Sequence, residues 1–271
     1  MQHNFKKKYG QNFLSDSLLL ADIVADAGIT SDDCVLEIGP GAGALTKEIA
    51  KVAKKVVAYE IDVELKPILE KNLKGYDNVK VIFGDFMKVK DEDITKELGD
   101  DYAVVANLPY YITAPVVTEF AEKVQKGSRI KSLTLTLQKE VAERLVAKPA
   151  TSDYGAITVM LDSVANTTLT RVINRDKFYP VPNVDSAVVS AKFCGNHLGV
   201  IDFDEFRKIT KCAFAQRRKT LSNNVMSFFG VNRQTADEWL NKNGIDGSVR
   251  GETLSAKDFK TLSNDLKNLK K

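Results

Sequence analysis

Apolar residues fall in short runs at Cys34-Val-Leu-Glu-Ile38, Val56-Val-Ala-Tyr-Glu60, Val79-Lys-Val-Ile-Phe83, Tyr102-Ala-Val-Val-Ala106 and Ser132-Leu-Thr-Leu-Thr-Leu137. Between them the apolar spacing widens to the three-to-four-residue period of amphipathic helices, over about 15–27, 44–52, 67–74 and 138–145 and in a stretch that Thr113 caps and whose first turn holds Pro115. Runs of this kind alternating with helices predict an α/β fold in which a parallel sheet is covered on both faces. Ile157 to Ala165 and Asp185 to Phe193 read as a closing pair of antiparallel strands, joined through Phe178-Tyr179-Pro180-Val181-Pro182, where closely spaced prolines leave no room for helix. Past the linker-like Gly195-Asn-His-Leu-Gly199 the pattern turns wholly helical: one helix from Phe203, one over about 220–229, one holding Trp239 and Leu240, and one after Ser255. Two domains are therefore expected, 1–195 and 196–271, with Trp239 in the core of the second.

Strand ends carry the candidate chemistry, because ligands in open α/β sheets bind outside the carboxyl ends of the strands. The first strand runs into Gly39-Pro40-Gly41-Ala42-Gly43, a turn that lets backbone N–H groups approach a ligand closely. Its G-x-G-x-G spacing matches neither the dinucleotide fingerprint nor the phosphate loop. Glu37, just before it, repels a pyrophosphate but suits a cationic group. Glu60 ends the second strand, where a carboxylate can accept hydrogen bonds from both hydroxyls of a ribose. Asp85 follows the third strand and can accept from an adenine amine, with Phe86 or Met87 beside the ring. Singly, each acid reads equally well as a cap or a turn residue; together they point to an adenosine-bearing cation. After the fourth strand comes Asn107-Leu108-Pro109-Tyr110. Its amide, its carbonyls held by proline geometry and its aromatic ring can accept hydrogen bonds from a planar amine and cover the ring that carries it. The plain alternative is a strand-to-helix turn capped by the asparagine. Phe178 to Pro182 likewise reads either as a rigid connector or as a second aromatic wall for an extruded base.

Composition narrows the partners. The chain has 271 residues, 39 Lys and Arg against 36 Asp and Glu. From Ala191 onward the balance is 15 against 9, a net of +6, while the first 190 residues carry 24 against 27. Arg217, Arg218 and Lys219 lie together at a predicted helix junction, which suits phosphate contacts on RNA, although solvated helix faces alone produce such a balance. Cys34, Cys194 and Cys212 are widely spaced, and His3 and His197 are isolated, so neither disulfides nor a metal site are expected. No apolar run approaches the roughly 20 residues that span a bilayer. Met1-Gln-His-Asn-Phe-Lys-Lys-Lys lacks the apolar stretch of a signal peptide. A soluble, cytoplasmic protein with no membrane partner is expected.

The chain resembles, along almost its whole length, the KsgA family of small-subunit rRNA adenine N6,N6-dimethyltransferases. Carrying the resemblance are Gly10-Gln-Asn-Phe-Leu14, Leu36-Glu-Ile-Gly-Pro-Gly41, Asn107-Leu-Pro-Tyr110, Gln138-Lys-Glu-Val-Ala142 with Arg144-Leu-Val-Ala-Lys-Pro149, Phe178 to Ser186, and Gln216-Arg-Arg-Lys-Thr220. Tyr111 departs from the asparagine that many relatives have there. The resemblance implies a Rossmann-like, seven-stranded S-adenosylmethionine-dependent methyltransferase domain with a small all-helical C-terminal domain. It implies S-adenosyl-L-methionine as methyl donor, with Asn12, Leu14, Gly39, Glu60, Asp85 and Asn107 lining the cofactor site beside Gln11, Glu37, Gly41, Ile61 and Phe86. Tyr110 and Phe178 are then the pair that sandwiches the target base, and Asn107, Leu108 and Pro109 orient its amine. The implied partner is 16S rRNA in the immature small ribosomal subunit, whose 3′-terminal hairpin loop offers two adjacent adenosines, and the enzyme is expected to act as a monomer. Two other readings stay open on the sequence: an amino-methyltransferase of DNA or of a protein glutamine, which uses a similar Asn-Pro-Pro-Tyr turn, and an assembly factor whose binding matters more than its methylation.

Overall fold

A computed structural model of the chain describes residues 13–108 and 112–269. The chain divides into two compact units, each assembled from several segments. The first holds residues up to Val116 together with Ser128–Ala142 and Thr168–Phe193; the second holds Val117–Gly127, Glu143–Thr167 and the chain from Cys194 on. A linear reading puts everything before residue 196 in one domain. Periodicity shows that a helix has an apolar face; which core receives that face is a tertiary outcome.

The strands in chain order are β1 (Phe13–Leu14), β2 (Cys34–Ile38), β3 (Lys55–Glu60), β4 (Val79–Phe83), β5 (Tyr102–Asn107), β6 (Ser132–Gln138), β7 (Ala165–Ile173), β8 (Phe178–Tyr179) and β9 (Ser186–Phe193). Helices α1 (Ser17–Asp26), α2 (Ala44–Ala50), α3 (Lys66–Asn72), α4 (Asp91–Leu98), α5 (Thr113–Gln125), α6 (Lys139–Leu145) and α7 (Ala156–Asp162) precede the C-terminal set α8 (Phe203–Phe214), α9 (Leu221–Phe229), α10 (Arg233–Lys242) and α11 (Ala256–Leu269). Seven strands form one sheet in the order β4-β3-β2-β5-β6-β9-β7. β2 is parallel to both β3 and β5, and β6 is parallel to β5 and antiparallel to β9. From β2 the chain winds outward through β3 and β4, then returns to continue on the other side with β5 and β6. The reversal opens a crevice between the carboxyl ends of β2 and β5, where doubly wound sheets bind ligands. Val35, Leu36, Val56, Val57 and Val104 are wholly buried in these strands, which is why their sequences run apolar without alternation.

Two local expectations are corrected. Ile157 to Leu161 is helix in α7, and the strand lies later, in β7; a short apolar run has no period long enough to separate helix from strand. β7 alternates instead between the exposed Asn166, Thr168, Thr170 and Val172 and half-buried partners. Thr168 and Thr170 Oγ1 reach the carbonyls of Ser190 and Val188, both at 3.4 Å, so β7 and β9 run antiparallel. Thr113 begins α5, but its buried Oγ1 closes no hydrogen bond among the described residues and caps nothing there.

In the second unit α8 packs against α7, α9 and α11. Phe206 and Phe259 are fully buried, and the rings of Phe214 and Phe259 stack at 5.8 Å. Trp239 is buried, its Nε1 donating to the carbonyl of Asp265 at 3.3 Å. Three helix starts are satisfied by a side chain: Asp202 for α8, Thr220 for α9 and Asn232 for α10.

Gly251 shows how tightly these helices close. A Cβ there meets the carbonyl oxygen of Ala213 at 2.5 Å, a backbone atom that cannot rotate aside. Gly251→Ala is expected to cost about 1–3 kcal/mol through overpacking. Thermal unfolding should show the melting point several degrees lower, whereas Gly84→Ala, whose added Cβ meets nothing within 4 Å, should leave it near wild type.

Candidate active site

The crevice is built first from backbone. Gly39, Gly41 and Gly43 all take left-handed φ, at 74°, 57° and 81°, within five residues. That conformation is open to glycine and strained for most other residues. Gly39 N–H donates to the Tyr59 carbonyl (2.9 Å) and Gly43 N–H to the Pro40 carbonyl (2.8 Å), so the turn is sewn to the end of β3 and onto itself. In the register of β2 and β5, Ile38 pairs with Ala106, which brings Gly39 level with Asn107.

Glu60 locks this arrangement. Its carboxylate is buried, with Oε2 accepting the Gly41 N–H at 3.0 Å and Oε1 the Asp62 N–H at 2.9 Å. Burial pushes the Glu60 carboxyl above the ordinary carboxylate range, while the N–H groups of Asp62 and Gly41 pull it back. Asp85 accepts from Met87 N–H at 3.1 Å and caps the short turn Phe86–Lys88, with Lys88 Nζ at 3.4 Å. Phe86 is buried, its ring edge-on to that of Tyr59 at 5.8 Å. β1 and β8 pair antiparallel, with Leu14 opposite Phe178.

One cavity at this crevice is lined by Leu14, Glu37, Gly39, Gly41, Glu60, Ile61, Asp85, Phe86, Asn107, Leu108 and Phe178. The structure thus gathers around one space every described residue expected to bind cofactor or to hold and orient the target base. Gln11, Asn12, Pro109 and Tyr110 lie outside the described residues. The lining also includes Leu20, Ile23, Tyr59, Ile112, Thr136 and Ser186, which sequence reading did not single out. Thr136 carried a usable signal: Ser132, Thr134 and Thr136 are buried polar residues at alternate positions of β6, and Thr136 pairs in register with Asn107.

Arg217, Arg218 and Lys219 follow α8 in the second unit, all exposed. They are not equivalent. Arg217 Nη2 donates to the carbonyls of Ser152 and Tyr154 and approaches Glu252 Oε2 at 3.4 Å. Arg218 and Lys219 form no ion pair among the described residues. No group of His, Cys, Asp or Glu among the described residues is placed to hold a metal ion, and no helix is long and apolar enough to cross a membrane.

Glu37 tests whether these residues fit an adenosine-bearing cation. Its side chain is 1% exposed, and neither its Oε2 nor the neighbouring Thr46 Oγ1 closes a hydrogen bond among the described residues. Burial raises its carboxyl to about 8, the Thr46 hydroxyl opposes this, and the Glu60 charge adds to it. A buried acid with an open oxygen, beside a second buried acid, fits a cation and disfavours an anion. Below the ordinary glutamate range Glu37 is protonated in both folded and unfolded chains and is neutral for stability. Between that range and about pH 8 only the unfolded chain has lost the proton, so stability falls as pH rises. Each pH unit in this window costs about 1.4 kcal/mol. Glu37→Gln should therefore be more stable than wild type at pH 8, by up to roughly 4–5 kcal/mol in urea unfolding, with the difference vanishing near pH 4. Equal stability of the two proteins at pH 8 would show that Glu37 is already ionised and paired.

Comparison with known proteins agrees with this geometry. A family model described as ribosomal RNA adenine dimethylase matches residues 2–268. Curated relatives named "Ribosomal RNA small subunit methyltransferase A" include one from Listeria monocytogenes, 43% identical over 97% of this chain and 90% of its own length. Another, from Geobacillus thermodenitrificans, is 41% identical over 97% and 91%. Among solved structures, a dimethyladenosine transferase from Plasmodium falciparum superposes with a TM-score of 0.76 at 28% identity, covering 94% of this chain and 98% of that one. The 23S rRNA methyltransferase ErmE superposes with a TM-score of 0.69 at 26% identity, over 94% and 100%. The match over nearly the whole chain, with its seven-stranded sheet and glycine-turn crevice, places this protein in the ribosomal RNA adenine dimethylase family, whose methyl donor is S-adenosylmethionine.

Proposed function

We propose that this chain transfers methyl groups from S-adenosylmethionine to N6 of two adjacent adenosines in the 3′-terminal hairpin loop of 16S rRNA, giving N6,N6-dimethyladenosine as the small subunit matures. The observation that carries the reading is one cavity in the first unit where Glu60, Asp85 and Asn107, from the ends of β3, β4 and β5, converge with Phe178 of β8. Likeness to ErmE shows that the fold is shared with large-subunit enzymes; the small-subunit assignment is supported by the relatives at 41–43% identity. Residues 1–195 are proposed to perform methyl transfer and the basic 196–271 to hold RNA, chiefly through Arg218 and Lys219. The enzyme is proposed to act as a monomer in the cytoplasm on the assembling subunit.

The bound cofactor supplies an electrophilic sulfonium methyl group. Glu60 is assigned the ribose hydroxyls, Asp85 the adenine amine and Phe86 the ring face, while Leu14, Gly39, Gly41 and Ile61 shape the walls and Glu37 faces the cationic end. Gln11 and Asn12 are assigned to the same site from the sequence. On the target side, Asn107 and the carbonyl of Leu108 or Pro109 accept hydrogen bonds from the adenine amine. The N6 lone pair is delocalised into its ring, so attack requires the nitrogen to become more tetrahedral. Acceptors placed for that geometry favour the transition state over the flat ground state, and alignment of nitrogen with methyl adds an orientation gain. The alkylated nitrogen is acidic and loses its proton after transfer, so no strong base is needed first. Tyr110 and Phe178 clamp the extruded base, with stacking worth about 1–3 kcal/mol per base.

Glu60→Ala should weaken cofactor binding at least about tenfold in calorimetry, given roughly 1–3 kcal/mol for each charged hydrogen bond removed. An analogue lacking the ribose hydroxyls should lose much less. Unchanged affinity for the natural cofactor would remove the ribose assignment. Asn107→Ala should lose most of its single-turnover rate on small-subunit RNA while binding that RNA normally, and Phe178→Ala should accumulate the monomethylated product. An Asn107→Ala enzyme turning over near the wild-type rate would place the chemistry elsewhere.

A further inference from the structure

Arg217 stands apart from the two cations that follow it. Its Nη2 carries two hydrogens and faces three acceptors of its own chain: the Ser152 carbonyl, the Tyr154 carbonyl at 3.3 Å and Glu252 Oε2 at 3.4 Å. All the donor capacity of that nitrogen is turned inward. The same turn is held from beneath by buried Asn224, whose Nδ2 donates to the carbonyls of Ala213 (3.0 Å) and Gln216 (3.3 Å). Lys219 N–H closes the turn on the Gln216 carbonyl at 2.9 Å.

The loop that Arg217 grips is itself constrained. Ala150 is the only non-glycine among the described residues with left-handed backbone, at φ 68°, and its N–H donates to the Glu252 carbonyl at 2.7 Å. Thr151 Oγ1 returns to the Lys148 carbonyl at 2.7 Å. An alanine stays in that conformation only where its surroundings over-determine it. Here the consequence is that two successive even-numbered carbonyls, Ser152 and Tyr154, point at one guanidinium, whose charge Glu252 balances.

We propose that Arg217 is a positioning residue: it clamps the 216–219 turn to the 148–154 loop and thereby fixes Arg218 and Lys219 in the arrangement that meets neighbouring phosphates of an RNA strand, making no phosphate contact itself. The proposal rests on the reading of the second unit as the RNA-holding part. Lysine is no substitute, because its ammonium ends about where Arg217 Cζ lies, one bond short of the Nη2 that makes all three contacts.

RNA binding by the full chain, measured as affinity against salt with a fragment carrying the 3′-terminal hairpin, separates the roles. Arg218→Ala/Lys219→Ala should flatten the log–log salt line by roughly 0.7 for each phosphate no longer neutralised on a single-stranded region. Arg217→Ala should weaken wild-type binding about tenfold because Arg218 and Lys219 no longer meet those phosphates, and Arg217→Lys should behave like it. In the double-variant background Arg217→Ala should change neither affinity nor slope, the non-additivity expected of residues acting as one unit. Hydrogen exchange in Arg217→Ala should quicken over 148–154 and 216–219 and leave α9 and α10 protected. A further drop of slope from double to triple variant overturns the proposal, since it makes Arg217 a phosphate ligand. Wild-type affinity in Arg217→Ala, or loss of protection throughout the second unit, overturns it as well. If the double variant keeps both wild-type affinity and slope, the RNA reading of the patch fails first, and the positioning role falls with it.

Discussion

A buried carboxylate that takes backbone N–H groups from two segments organises the first unit. Glu60 joins the glycine turn after β2 to the end of β3 through Gly41 and Asp62. Removing such a group from water is costly, and an isolated buried charge is not tolerated. The cost is offset because N–H groups that a tight turn would otherwise leave unpaired are the ones that satisfy it. Three left-handed glycines become possible in sequence because their backbone is held at both ends, and the turn then sits level with Asn107 across the parallel register of β2 and β5. The cavity follows from this junction. One residue therefore fixes the turn and lines the cavity.

Much of this was legible in the sequence. The apolar runs marked the parallel strands because both faces of a covered sheet are buried, and the acids and amide at their ends were placed by the rule that such sheets bind ligands at carboxyl ends. Ile157 to Leu161 failed because four apolar residues in a run of five carry no decisive period; only neighbours that receive a helical face settle the matter. Ser186 was passed over because β6 pairs with an antiparallel β9, and no local pattern announces which strand will insert there, whereas Thr136 was marked by the alternating polar positions of β6. The interleaved segments of the two units were illegible for the same reason: a helix sequence states its apolar face but not its core.

The basic tract shows the limit of reading charge alone. Arg217, Arg218 and Lys219 look alike in sequence, yet among the described residues only Arg217 donates to carbonyls of its own chain. Local chemistry announces donors; tertiary structure decides which of them remain available. The same holds for Glu37, which composition counts as a negative charge and burial raises to about 8.

The central claim is that this site aims the exocyclic nitrogen of adenine at a methyl donor. It is tested most directly by incubating the chain and labelled S-adenosylmethionine with undermethylated small subunits, then identifying the labelled nucleosides by mass spectrometry. The account predicts N6,N6-dimethyladenosine at two adjacent positions of the 3′-terminal hairpin loop, reached through N6-monomethyladenosine. Label on a ring nitrogen, on ribose or on cytosine, or no label with subunits that a known dimethylating enzyme still modifies, would contradict it.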